Sequence, residues 1–287
     1  MREPICAGTY YTRPESVLRE EIKAAFHHDR GPGALPTEKR DGRIKAVIVP
    51  NSPYAHSAPC AAWAYKAIAE TPLPNLYILL SANHHSIKSG VTAETFQTLM
   101  GEVRVDQAFA RVLVEKGTIS YDTEIHTRDH GIEVQLPFLQ FVKSKELEKI
   151  KILPMLISSD IDMKRLALDL KETLVEQNKK AVFIVSSDFL KHGPMFHYVR
   201  FLDDVQKNIY EFDSKVIDMI KAQDGDGFFS FVDKNFAPID GTLPITTLLY
   251  TLKKCDVKLE QYYTTADILD EKKNSVSFAA IIFQEKA

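Results

Sequence analysis

Runs of consecutive apolar residues, each about the length of a strand, alternate along this chain with stretches whose apolar positions recur at helical spacing. IKAVIVP (44–50), NLYILLSA (75–82), IKILPMLIS (150–158) and AVFIVSSD (181–188) carry few polar residues inside, the pattern of strands buried on both faces. Helices are predicted from Pro14 to about His28, over 58–70, near 106–116, over 161–177 and from about 198 to 222. In the first of these Val17, Leu18, Ile22 and Phe26 share a face, and Pro14 suits the first turn. Such alternation predicts a largely parallel sheet with helices on its faces. The runs VKLEQYYTT (258–265) and SVSFAAIIF (275–283) have no helix between them and predict an antiparallel addition, so the sheet is expected to be mixed. The polar stretch 29–43 reads as a surface excursion, leaving one α/β domain over 1–287.

Composition narrows the partners. Hydrophobic residues make up 45% and charged residues 26% of the 287, and a net charge of -3 with mixed signs provides no field for a polyanion. Nucleic acid is therefore not an expected partner. No apolar run approaches the roughly 20 residues of a membrane helix, and the first residues lack the basic-then-apolar pattern of a secretory signal, so a cytoplasmic location is expected. Cys6, Cys60 and Cys255 are odd in number and widely spaced, which suits small buried hydrophobes better than a disulfide framework or a thiolate zinc site.

Candidate chemistry gathers where strands end. VIVP runs into NSPYAHS, ILLSA into NHH and VSSD into FLKHG, and a further polar segment reads IDGTLPI. In α/β sheets the crevice beyond the carboxyl ends of the strands is where ligands bind, so these segments predict one shared pocket. Asn83, His84 and His85 follow a strand directly, and an imidazole there could ligate a metal, move a proton or simply cap the strand. His130 and Glu133, three apart at the start of an apolar helix, are expected on one face and within reach of one ligand. Asp129 or His130 as a helix cap, with Glu133 completing a capping box, is the alternative. Ser186, Ser187 and Asp188 offer hydroxyls and a carboxylate, with Lys191 and His192 on the next turn; a plain strand-to-helix turn is equally open. His56 and Asp240 carry weaker signals. No GxSxG elbow, phosphate-cradling glycine loop or HExxH helix is present. Phe228, Phe229 and Phe231 read either as a self-association surface or as one helix's core face.

Taken in order, AGTYY (7–11), VPNSPYAHS (49–57), SANHH (81–85), DHGIEVQLPFL (129–139), SSDFLKHG (186–193), DGTLPI (240–245) and SVSFAA (275–280) resemble the Memo family, protein B of the AmmeMemoRadiSam system. The resemblance covers nearly the whole chain. It implies a fold similar to the class III extradiol dioxygenases and a pocket that can carry iron or copper. The family's ligands are two strand-end histidines, a histidine in the SSDF run and a cysteine before the glycine of DGTLPI. Here Asn51 stands for the first, within a run that ends at Tyr54, and His85 is taken as the second. Lys191 stands at the third and Asp240 at the cysteine.

A protonated lysine repels a cation and asparagine is a weak neutral ligand, so the family site is altered. The favoured expectation is a metal-poor or metal-free pocket in which Lys191 pairs with Asp240, and Asn51, Tyr54, His84 and Lys191 bind a small molecule or an acidic peptide. The alternative is a non-haem oxidoreductase in which His192 turns inward and joins His85 and Asp240 as a two-histidine, one-carboxylate metal set. His85, His130, Glu133 and Asp188 are the expected proton-moving groups in any catalytic reading.

Overall fold

The computed structural model describes residues 1–37, 42–269 and 273–286, so 38–41 of the polar excursion lie outside the described residues. The strands in chain order are β1 (Ile44–Val49), β2 (Leu76–Ala82), β3 (Gly90–Val91), β4 (Phe96–Thr98), β5 (Gly101–Val105), β6 (Lys151–Ile157), β7 (Ala181–Ser186), β8 (Lys191–His192), β9 (Asp256–Thr264) and β10 (Ser275–Gln284). Between them run α1 (Glu15–His27), α2 (Tyr54–Ala69), α3 (Gln107–Glu115), α4 (Thr123–Arg128), α5 (Leu136–Val142), α6 (Met163–Glu176), α7 (Val205–Ala222), α8 (Gly225–Lys234) and α9 (Thr242–Thr251).

The four apolar runs lie together as the parallel centre of one mixed sheet, β6-β2-β7-β1, to which β5 adds in parallel beside β6. Their side chains are buried almost without exception because helices cover both faces. On one side α2 packs against β1, β9 and β10 and against α1 and α5; on the other α9 packs against β2, β7, α6 and α8. The small residues of α2, among them Ala58, Cys60, Ala61, Ala62 and Ala64, allow that close approach and are all buried. β10 pairs antiparallel with β1 and β9, as expected, and β4 closes the far edge as a hairpin on β5. A single α/β domain with a mixed central sheet flanked by helices is therefore the architecture.

Some boundaries differ from the sequence expectation. α2 begins at Tyr54 rather than near 58, and IDGTLPI opens α9 instead of forming a loop. α7 begins at Val205 rather than 198, because Gly193, His197 and Asp204 adopt positive φ and the Gly193 amide bonds to the Tyr198 carbonyl. Phe228 is fully buried and Phe231 packs on Phe212, so those rings belong chiefly to the core. The cysteines are unpaired; Cys6 and Cys60 are buried, while Cys255 is only half-buried. Among the described residues no helix is long and apolar enough to cross a membrane.

Candidate functional site

Strand register assembles the site. Val49 of β1 pairs with Ser186 of β7, and Ser186 pairs with Ser81 of β2. The residues just beyond these positions, Asn51, Asp188 and His84, therefore emerge side by side at the carboxyl end of the sheet. The Asp188 carboxylate is buried and holds the turn after β1. Its Oδ1 accepts from the backbone of Asn51 at 3.1 Å and Ser52 at 3.3 Å, and its Oδ2 accepts from the Ser52 hydroxyl. Burial, followed by the charge of Asp240, raises its pKa above the carboxylate range.

Lys191 follows on β8, where its backbone amide bonds to the Pro238 carbonyl and draws the start of α9 over the site. That brings Asp240 in. Lys191 Nζ lies 3.1 Å from Asp240 Oδ2 and 3.9 Å from Asp188 Oδ2, and the Ser187 hydroxyl, which donates to the Asp188 carbonyl at 2.6 Å, lies 3.2 Å from Asp240 Oδ1. Burial opposes charge on both partners, yet attraction outweighs it. The lysine is held above its usual range by Asp240 and Asp188, and the Asp240 carboxyl is held well below its own by Lys191 and His84.

His84 completes the cluster. Its Nδ1 lies 2.9 Å from Asp129 Oδ2 and its Nε2 lies 3.3 Å from Asp240 Oδ2. Ionised carboxylates only accept, so the ring donates from both nitrogens and is an imidazolium. Burial works against that charge, but the bonds to Asp129 and Asp240 raise the pKa to about 10. The His130 ring stacks on Tyr10 at 4.6 Å and lies tilted against His84 at 4.3 Å. Burial and the neighbouring His84 charge lower the His130 pKa to about 4, which keeps this second imidazole neutral. Segment 129–135 is stitched to the strand ends, with Ser186 Oγ donating to the Gly131 carbonyl and Gln135 Nε2 donating to the Pro50 carbonyl.

Several expected site residues lie elsewhere. His85 is exposed in the turn after β2, and its neighbour His84 takes the inward position, because successive side chains leaving a strand point to opposite sides. By the same alternation Lys191 faces Asp240, while His192 is buried against Phe201, whose backbone amide donates to His192 Nε2 at 3.1 Å. The set His85, His192 and Asp240 is thus not assembled. Glu133 does not share a face with His130. It is fully buried and turned to the N-terminal segment, accepting from the amides of Ile5 and Cys6, the Tyr11 hydroxyl and Arg2 at 2.5 Å. Nor does it form a capping box, although Asp129 Oδ1 does accept from the Gly131 amide. Tyr54 packs against Tyr11 and Phe138 and donates to the Val134 carbonyl, outside the cluster. Asn51 lies beside Asp188, with its side-chain amide nitrogen buried and unpartnered among the described residues. Asp129 as a charge partner and Tyr10 as a wall of the site escaped the sequence reading, although both sit in the quoted runs.

The donor set does not fit the redox metal implied by the family resemblance. The Lys191 ammonium already pairs with Asp240, a position where the resemblance implies a ligand, and both His84 nitrogens face carboxylates as donors rather than presenting a lone pair. His84, Asp129 and His130 do bring one potential ligand atom each within 4.8 Å of one another.

The description "Memo-like protein" belongs to a family model that matches residues 2–282. A MEMO1 family protein of Methanopyrus kandleri is 32% identical, with 99% of each chain covered. Another, from Methanothermobacter thermautotrophicus, is 28% identical over 97% of this chain and 99% of its own. Among solved structures, an uncharacterised protein of Escherichia coli K12 aligns with a TM-score of 0.51 at 15% identity, covering 84% of this chain and 99% of its own, a likeness of fold alone.

Proposed function

The chain belongs to the Memo family, and from that premise we propose that it is a metal-free member whose strand-end pocket binds a small polar molecule. The observation that carries this reading is the Lys191–Asp240 pair at 3.1 Å, with His84 donating to the same carboxylate oxygen at 3.3 Å. Two protein cations then serve the carboxylates that would otherwise attract a metal, and a third cation would meet their repulsion. The groups with spare capacity suit ligand binding. They are a neutral imidazole at His130, the Tyr10 hydroxyl and the remaining hydrogens of the Lys191 ammonium.

A paired titration tests the proposal. Chelator-treated protein is titrated anaerobically with Fe(II), alongside the double variant Asn51→His and Lys191→His. The expected result is no saturable binding to the natural protein and saturable binding to the double variant, which regains two imidazoles and loses the ammonium. Tight binding by the natural protein would refute the metal-free reading.

One observation favours a second reading. His84, Asp129 and His130 amount to two imidazoles and a carboxylate within 4.8 Å of one another, a composition known for non-haem iron. Such a centre requires His84 to lose a proton and its contact with Asp240. In the same titration it predicts Fe(II) binding by the natural protein that disappears in His130→Gln.

A further inference from the structure

The hydrogen-bond account of the site is one-sided. Asp240 Oδ2 accepts from Lys191 and His84, and its Oδ1 lies 3.2 Å from the Ser187 hydroxyl. Both oxygens of Asp188 accept from the Asn51–Ser52 turn, and both of Asp129 accept, Oδ1 from the Gly131 amide and Oδ2 from His84. Each of these carboxylates is served by donors of the protein, while several donor groups have no partner among the described residues. Among the described residues the Tyr10 hydroxyl and the His130 ring nitrogens make no hydrogen bond, and the Asn51 amide nitrogen is buried without a partner. The side chain of Lys191 is 25% exposed and makes one short hydrogen bond, although an ammonium has three hydrogens to donate. A buried donor without an acceptor is costly, and sites built of donors select ligands that bring acceptors.

The same residues define a shape. The Tyr10 and His130 rings stack at 4.6 Å, and His84 leans against His130 at 4.3 Å with a tilt of 35°, so one side of the site is lined by rings. Beside them Asp240 touches both His84 and Lys191. His84 and Lys191 offset two of the three carboxylates, and the third, Asp188, is held by the amides and hydroxyl of the Asn51–Ser52 turn, so Lys191 is the group left to meet an entering anion.

From these unpartnered donors beside the stacked Tyr10 and His130 rings we infer that the site takes a small planar oxyanion, a carboxylate or an enolate, with Lys191 as its charge partner and Tyr10 and His130 as further donors. The inference rests on the metal-free reading, because Lys191 can meet a ligand anion only if no metal displaces it.

The test uses the full chain in excess chelator and two probes of equal shape, 4-fluorobenzoate and the neutral 4-fluorobenzamide, followed by fluorine NMR. The acid is expected to bind about tenfold or more tightly than the amide, as a charge-assisted contact provides. Lys191→Met is expected to abolish that preference. Tyr10→Phe, which removes a hydroxyl with no internal partner, is expected to weaken the acid several-fold without altering the melting temperature. Since Lys191→Met leaves buried carboxylates unpaired and can unfold the site, Tyr10→Phe keeps the test decisive. Equal affinity for acid and amide, no binding of the acid, or an acid affinity unchanged in Tyr10→Phe would overturn the inference. Metal measured on the untreated protein judges the metal-free reading separately: stoichiometric metal sinks that reading, whereas absent metal without acid preference sinks only the ligand class.

Discussion

At the scale of single residues, the site turns on two adjacent pairs, His84 with His85 and Lys191 with His192. The family resemblance located both pairs in the sequence, but which member faces inward depends on where a strand stops alternating, and a shift of one residue exchanges the faces. That is why His84 rather than His85 meets Asp129 and Asp240. Glu133 was misread for a different reason. Its partners, Arg2, Ile5, Cys6 and Tyr11, lie more than a hundred residues away in sequence, and no local spacing reveals them. Glu133→Gln leaves the Arg2 guanidinium buried without its counter-charge and is expected to cost about 3–5 kcal/mol in urea unfolding. A loss below about 1 kcal/mol would show that the N-terminal segment is held by other contacts.

Among the elements, the long apolar strands were legible because burial on both faces leaves a continuous signature, and the parallel centre of the sheet followed from it. The short strands β3, β4 and β5 were not, since two to five residues at an edge carry no period. Nor was the start of α9, whose apolar and threonine residues resemble a strand-end turn. Close packing of elements gives a prediction at this scale. A Cβ built on Gly131 would lie 1.9 Å from Ser81 Oγ, so Gly131→Ala must push the 129–135 segment off the end of β2. The expected loss is about 1–3 kcal/mol by chemical denaturation, with a changed His84 ring environment by NMR; an unperturbed His84 would contradict the stitching described.

Helix α7 supplies the pH dependence. Asp213 on α7 is fully buried, and the Tyr262 hydroxyl of β9 donates to it at 2.6 Å. Burial raises its pKa to about 6, above the unfolded value of about 4. The folded state therefore binds the proton more tightly, and the stability this confers is complete below about pH 4 and lost as the pH rises through 6. Relative to Asp213→Asn, the natural protein is expected to lose roughly 2–3 kcal/mol between pH 4 and pH 7, read from denaturation curves at each pH. A difference that stays flat over that range would mean that Asp213 is not the buried, proton-holding group described.

For the whole molecule, one sheet register, one N-terminal strap and the start of one helix converge on the same few side chains. The N-terminal segment crosses to the strand ends through Arg2, which bonds to the carbonyls of His126 and Asp129 and to Glu133, and so carries Tyr10 onto His130. The resemblance implies changed family positions at Asn51, Lys191 and Asp240. The fold shows that two of those changes pair with each other, which is the basis for the metal-free account. Its most direct test is metal analysis of the purified protein by mass spectrometry, before and after anaerobic exposure to iron, copper and zinc and removal of loosely held ions. The account predicts only trace metal in every sample. Near-stoichiometric iron or copper that survives desalting and is lost in His84→Ala would contradict it.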